Sequence, residues 1–197
     1  MSKLYFRYGA MNCGKTTALL QVAHNYEERG MSVLIIKPII DKKAADSIES
    51  RLGIRRKVDY LIKDGDNLYK ILKDYKKNDK KLSCILVDEA HFIEEEQVDQ
   101  LFKFATLENI PVICYGLRSD FKTKAFRAVP RLLTLASTIE EMKTICRCGK
   151  KATLNLRFVN GKIATDGEQV AIDGFDNVTY ESMCPACYFK ALKNSTK

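Results

Sequence analysis

Near the start of the chain, Gly9-Ala10-Met11-Asn12-Cys13-Gly14-Lys15-Thr16 places a glycine at each end of a short loop and follows the second with a lysine and a hydroxyl. This order suits a phosphate group. Glycines let successive backbone N–H groups turn inward on an anion, a helix N-terminus adds positive potential, and Lys15 contributes a full charge near the terminal oxygens. Thr16 supplies a hydroxyl suited to Mg²⁺. At average residue frequencies the pattern arises by chance on the order of once in a hundred chains of this length. Cys13 sits where a helix N-terminus can lower a thiol pKa, although the favoured reading is a small residue tolerated in a tight loop.

A second group of residues carries acids. Cys84-Ile85-Leu86-Val87 is an apolar run that ends in Asp88-Glu89, the form of a buried strand delivering carboxylates to a phosphate site. Asp88 is suited to hold Mg²⁺ directly or through waters, and Glu89 to orient and deprotonate an attacking nucleophile. Acid pairs at strand ends are common. One that follows a phosphate loop after about 70 residues and two βα units points to phosphoryl transfer. Asp88-Glu89-Ala90-His91 also spells a helicase signature. A helicase needs a second motor domain, for which 197 residues are expected to leave no room. His91 is either an ordinary polar residue after the acids or one coupled to nucleotide. His24 falls within a helix and receives no role.

The third group is sulfur. Of seven cysteines, four form two close pairs, Cys146-Arg147-Cys148 and Cys184-Pro185-Ala186-Cys187, separated by 35 residues, while Cys13, Cys84 and Cys114 are scattered. Seven is odd for a disulfide framework, and paired knuckles of this kind can present four thiolates to one tetrahedral Zn²⁺. Such a site is structural and contributes folding free energy to a segment too small for a core of its own.

The elements that must position these groups follow from apolar periodicity. Lys3 to Tyr8, Val33 to Ile36, Cys84 to Val87 and Pro111 to Tyr115 read as strands. Lys15 to Arg29, Asp66 to Lys77 and Glu94 to Ala105 read as helices. Alternation of this kind predicts an α/β fold with a mainly parallel central sheet and ligands at the carboxyl ends of its strands. Ile39 to about Lys57 shows no firm period, and Leu132 to Ile145 fits helix or strand. From Cys146 the texture becomes β-rich, with a hairpin turn at Asn160-Gly161. This divides the chain into residues 1–145, an ATP-binding P-loop domain, and 146–197, a small zinc-bearing β-hairpin domain. The hydrophobic fraction of 46% is enough for a packed core. No apolar run approaches the length of a membrane span or a signal peptide, so a cytoplasmic protein with no membrane partner is expected. The net charge of +8 (33 basic against 25 acidic residues) lies mostly in Lys73 to Lys81, Arg55 to Lys57 and a tail from Lys190 read as frayed. Aromatics are not interleaved with these residues as a nucleic-acid groove requires.

Together the residues resemble the type II thymidine kinases over roughly Lys3 to Phe189. The markers are the loop Gly9 to Thr16, Lys37-Pro38 with Asp41 beyond it, Asp88-Glu89-Ala90-His91-Phe92, Gly116-Leu117 through Asp120-Phe121, and Tyr180 before the second cysteine pair. The resemblance implies transfer of the γ-phosphoryl of MgATP to the 5′-hydroxyl of thymidine, and of deoxyuridine, to give the monophosphate and ADP. It also implies a RecA-like domain with a zinc-bearing lasso, a homotetramer or dimer, feedback by dTTP, and no nucleic-acid partner. It makes Glu89 the general base, Lys15 its catalytic companion, and Gly9 to Thr16 with Asp88 and His91 the ATP site. Met11, Phe92, Leu117, Phe121, Phe126 and Tyr180 become walls of the nucleoside site, with the lasso around Val170, Ile172, Asp173, Gly174 and Phe175 reading the thymine ring through its backbone. Cys146, Cys148, Cys184 and Cys187 hold Zn²⁺; Thr16 and Asp88 hold Mg²⁺. Three positions depart from the family pattern: His91 replaces Gln, Lys43 replaces Arg, and the first cysteine pair encloses one residue instead of two. From a different class, the basic charge and the helicase-like tetrapeptide also fit a nucleic-acid-dependent P-loop ATPase with a zinc ribbon.

Overall fold

The computed structural model describes residues 2–39, 46–170 and 177–195. The chain folds as two compact units. Unit one holds the residues up to Tyr8, Gly14–Gly116 and Arg127–Glu140; unit two holds Gly9–Cys13, Leu117–Phe126 and the residues from Glu141 onward.

Unit one alternates strand and helix as its apolar pattern predicts. In chain order it runs β1 (Leu4–Tyr8), α1 (Lys15–Glu27), β2 (Ser32–Pro38), β3 (Ser47–Glu49), β4 (Arg55–Lys57), β5 (Tyr60–Ile62), α2 (Leu68–Asn78), β6 (Leu82–Val87), a 3₁₀ turn at Ala90–Phe92, α3 (Glu95–Leu107), β7 (Val112–Gly116), α4 (Val129–Leu135) and β8 (Thr138–Glu141). The main sheet has the order β5-β2-β6-β7-β1-β8. Pairings from β5 across to β1 are all parallel. Cys84 through Val87 and the whole of β7 are buried, which requires cover on both faces of the sheet. Helix α1 packs on β2, β6 and β7, while α3 packs on β1 and β7 and against α2 and α4.

Local chemistry sets the helix ends. Helix α3 starts in a capping box: the Glu94 side chain accepts from the Gln97 backbone N–H, and the Glu94 N–H donates to Gln97 Oε1 at 3.0 Å. Asn67 caps α2 by accepting from the Lys70 N–H at 3.0 Å. Helix α1 closes at Glu27, before the expected Arg29, because the N–H groups of Arg29 and Gly30 turn to the carbonyls of Tyr26 and Glu27. The stretch read as aperiodic contains the antiparallel pair β3–β4, whose three-residue strands are too short to leave a period.

Unit two contains β9 (Thr144–Ile145), β10 (Lys151–Ala152), β11 (Leu154–Val159), β12 (Lys162–Ile163), β13 (Val178–Met183) and α5 (Pro185–Ser195). Strands β9 and β10 pair antiparallel, and β11 pairs antiparallel with both β12 and β13. The expected turn is present, with Asn160 and Gly161 at φ 51° and 73°, the positive pair that a two-residue hairpin demands. The tail from Lys190, expected to fray, continues α5 as far as Ser195. Leu156, Val178 and Tyr188 are buried, and Cys146, Ala152 and Cys184 form a further small cluster.

Candidate active site

In unit one, the turn of the phosphate loop into α1 and the end of β6 supply the charged groups. Gly14 enters α1 at φ 82°, a conformation that disfavours a Cβ. Lys15 is buried, and the Thr16 hydroxyl donates to Asp88 Oδ2 at a long 3.4 Å. Asp88, 4% exposed, accepts the Glu89 N–H on Oδ1 at 3.0 Å, while its own N–H bonds to the Ile36 carbonyl at 2.9 Å. Glu89 adopts a left-handed φ of 50°, sparsely populated by residues with a side chain. The next turn buries His91 completely, with Nδ1 3.5 Å from Glu89 Oε2.

Burial dominates the electrostatics here. It raises the Asp88 carboxyl, against the pull of the Glu89 N–H, Lys15, Lys37 and the Thr16 hydroxyl. The Glu89 carboxyl is pushed up to about 7, first by burial and then by the adjacent Asp88 charge. With 38% of the Glu89 side chain open to water, solvent screening lightens the energetic weight of that shift. His91 is held well below its ordinary value by burial and by the charge of Lys15, so its imidazole is neutral near pH 7. Lys37, given no role from the sequence, acts electrostatically on both carboxylates and bonds through Nζ to the Ser47 carbonyl at 2.9 Å. Phe92 lies with its ring 4.0 Å from that of His91.

In unit two, two cross-strand pairs organise the remaining site residues. Asn155 and Ser182 stand opposite each other on β11 and β13. Asn155 Oδ1 accepts the Met11 N–H at 2.8 Å, and the Ser182 hydroxyl donates to the Met11 carbonyl. The Met11 backbone is thereby fixed on both sides. Gly9 lies in the same segment, and a Cβ there would come within 2.5 Å of both Cys13 Sγ and the Met142 carbonyl; the loop requires that glycine for close approach, and Cys13 fills the space beside it.

The second pair is Arg157 with Tyr180. Arg157, 3% exposed, donates from Nε to the Tyr180 hydroxyl at 2.8 Å and from its two terminal nitrogens to the carbonyls of Glu168 and Gln169 at 2.7 and 2.9 Å. Its guanidinium lies 3.7 Å from the centroid of the Phe121 ring, a stacked geometry that a lysine cannot reproduce. The Tyr188 hydroxyl donates to the Phe121 carbonyl at 2.6 Å. The Gln169 amide reaches Asp120 Oδ2 at 3.1 Å, and Lys122 Nζ reaches the Gly167 carbonyl at 2.8 Å. Phe126 is buried, Leu117 half-buried and Val170 exposed. Ile172, Asp173, Gly174 and Phe175 lie outside the described residues, as do Asp41 and Lys43. Sequence reasoning misses Asn155, Arg157 and Ser182, since alternating polar residues are ordinary on a half-exposed hairpin and their importance depends on which residue each one faces.

The four paired cysteines meet as their spacing predicts. The sulfurs of Cys146, Cys148, Cys184 and Cys187 all lie within 4.8 Å of one another, and those of Cys148 and Cys184 are 3.6 Å apart. A tetrahedron with Zn–S bonds of about 2.3 Å has edges of about 3.8 Å, so the donor set fits Zn²⁺. Backbone N–H groups of Cys148 and then Cys184 draw the Cys146 thiol down to about 6, toward the thiolate that a metal takes. Cys84 and Cys114 are buried in strands with thiols pushed up by burial, Cys84 to about 12, and stay protonated.

The model of the thymidine kinase family matches residues 2–188. A thymidine kinase of Francisella tularensis subsp. tularensis is 45% identical over 174 residues, covering 88% of this chain and 87% of that protein. One of Legionella pneumophila is 44% identical over 100% of this chain and 93% of its own length. The chain belongs to the thymidine kinase family. A further thymidine kinase, from Idiomarina loihiensis, is 46% identical over 98% of both chains. Among solved structures, an ATPase domain superposes with a TM-score of 0.53 at 12% identity, over 82% of this chain and 79% of that one; at that identity the likeness concerns the fold alone. The thymidine kinase family is here built on a P-loop ATPase fold with a mainly parallel sheet, as the alternating strands and helices predict. Among the described residues no helix is long and apolar enough to cross a membrane.

Proposed function

We propose that this chain is an ATP-dependent nucleoside kinase that transfers the γ-phosphoryl of ATP to the 5′-hydroxyl of thymidine, and of deoxyuridine, yielding the monophosphate and ADP. The observation that carries this reading is the group in unit one where Lys15, Thr16 and Asp88 adjoin a Glu89 whose carboxyl is pushed up to about 7, in a chain of the thymidine kinase family. A carboxylate titrating near neutrality is suited to take a hydroxyl proton. Lys15 and the backbone N–H groups at the start of α1 hold the phosphates. The Thr16 hydroxyl and Asp88 would hold Mg²⁺, and the burial that raises the Asp88 carboxyl is the imbalance a cation relieves. Bound there, the ion supplies neutralisation of the phosphate charge. Glu89 orients the acceptor hydroxyl and receives its proton as the phosphoryl moves, and in a loose transition state that orientation matters more than basicity.

For the nucleoside we assign Met11, Phe92, Leu117, Phe121, Phe126 and Tyr180 as contact residues, with backbone groups of Val170 to Phe175 reading the base. Functionally we divide the chain at Ile145, with residues 146–197 as the zinc-bearing lasso domain. Arg157 supports the lasso by taking the carbonyls of Glu168 and Gln169. Arg157→Lys is therefore expected to raise KM for thymidine by about tenfold while KM for ATP stays within about twofold, because an ammonium cannot serve three separated acceptors. Steady-state kinetics in both substrates checks this. We further propose a cytoplasmic enzyme, assembled as a homotetramer or dimer, inhibited by dTTP, and without a nucleic-acid or membrane partner.

A panel of nucleosides assayed with MgATP tests the function. ADP release that depends on thymidine and deoxyuridine but not on purine nucleosides is expected. Release stimulated by single-stranded DNA and indifferent to thymidine would replace the kinase by a nucleic-acid-dependent ATPase.

A further inference from the structure

We propose that His91 is a positioning residue that holds the Glu89 carboxylate in its working orientation, and that the absent side chain of Gly116 makes room for it. The proposal rests on the reading of Glu89 as the base. Three observations converge on it.

His91 is 0% exposed, with Nδ1 3.5 Å from Glu89 Oε2. That separation exceeds a formed hydrogen bond, and a small rotation of the carboxylate closes it; contacts of this kind commonly tighten when substrate binds. Second, Gly116 ends β7 in the buried part of the sheet and does not have a positive φ, so backbone conformation does not require glycine there. Space does. A Cβ at Gly116 would stand 3.1 Å from His91 Nδ1, 3.2 Å from the His91 backbone nitrogen and 3.4 Å from His91 Cβ. Such a methyl would have to displace the imidazole, and specifically the nitrogen nearest Glu89. Third, the ring of Phe92 lies 4.0 Å from the imidazole, centroid to centroid, which leaves the ring little freedom to evade that displacement.

The chemistry suits the task. Burial and the charge of Lys15 keep His91 neutral, so Nδ1–H can donate to one carboxylate oxygen without adding a full positive charge that would lower the basicity of Glu89. The other oxygen is left to face the acceptor hydroxyl. Glu89 needs such a partner because its left-handed backbone, φ 50°, sets the direction of Cβ but leaves the carboxylate free to rotate.

The zinc-loaded chain serves for the test, with steady-state kinetics on His91→Leu, His91→Gln and Gly116→Ala. His91→Leu is expected to lower kcat by about tenfold with KM for ATP and thymidine each within about twofold. His91→Gln, whose amide also donates, is expected to recover kcat to within about threefold of the parent. Gly116→Ala is expected to lose kcat as His91→Leu does. Because Gly116→Ala could fail to fold, a second measurement stands apart from turnover. The chain has two histidines, His24 and His91, so imidazole ¹⁵N resonances are readily assigned. Glu89→Gln should shift the His91 Nδ1 resonance and leave those of His24 in place. An unmoved Nδ1 resonance, a His91→Gln variant no better than His91→Leu, or a change confined to KM for ATP would each overturn the proposal. Full turnover in Glu89→Gln would remove Glu89 as the base, whereas the resonance shift reports the His91–Glu89 contact whether or not Glu89 is the base.

Discussion

Glu89→Gln is expected to lower kcat by about 10²-fold or more while KM for ATP remains within about twofold. The amide keeps the size and shape of the side chain but cannot accept the 5′-hydroxyl proton. ATP binding should survive because Lys15, Thr16 and Asp88 are untouched and Asp88 keeps its bond from the residue-89 N–H, seen now at 3.0 Å. The pH dependence has a defined sign. Burial and then Asp88 raise the Glu89 carboxyl to about 7. The deprotonated, competent form therefore accumulates as pH rises through that value, and kcat/KM for thymidine climbs with it before levelling. In Glu89→Gln this ascending limb should disappear. Near-normal turnover in the variant, or an unchanged limb, would remove Glu89 from the proton transfer.

The second large effect concerns sulfur. Metal analysis of protein purified without chelator should find about one zinc per chain, and Cys184→Ser should lose it together with nearly all nucleoside phosphorylation. Structural zinc in small domains contributes on the order of 10 kcal/mol or more to folding, more than the small buried cluster around Cys146, Ala152 and Cys184 can replace. The consequence reaches beyond the knuckles because Ser182, which holds the Met11 carbonyl, lies just before Cys184 on the same strand end. Losing the metal frees β13, and with β13 goes one of the two bonds that fix the Met11 backbone. Amide exchange of Met11 and Asn12 should accelerate in Cys184→Ser. Zinc-free protein with full activity and an unchanged melting curve would show the cluster to be four spectator thiols.

Much of the fold is legible in local pattern. The strands that become β2, β6 and β7 carry apolar runs buried on both faces of a parallel sheet, and such runs declare themselves; β1 buries Leu4 and Phe6 in alternation. The very short strands β3, β4 and β5 do not, because three residues cannot establish a period. The end of α1 falls two residues before its expected position, since closure depends on which carbonyls the last N–H groups select. The part of α5 from Lys190 resembles a frayed tail in sequence because its lysines suggest solvent, whereas it extends a helix whose Tyr188 is buried and bonded to the Phe121 carbonyl.

Residue type and spacing are sufficient for the chemistry that is contiguous: the loop from Gly9 to Thr16, the acids Asp88 and Glu89 at a strand end, and the two cysteine knuckles. In each the functional geometry is set by neighbours along the chain. What faces what is settled only by packing between elements. The pairing of Asn155 with Ser182 and Arg157 with Tyr180 depends on the register of β11 against β13, and a slip of one residue in either strand would turn that strand's two members to the other face. The fit of Gly116 against His91 likewise joins residues on different elements, and only their tertiary contact reveals that this glycine is required for space and not for backbone freedom.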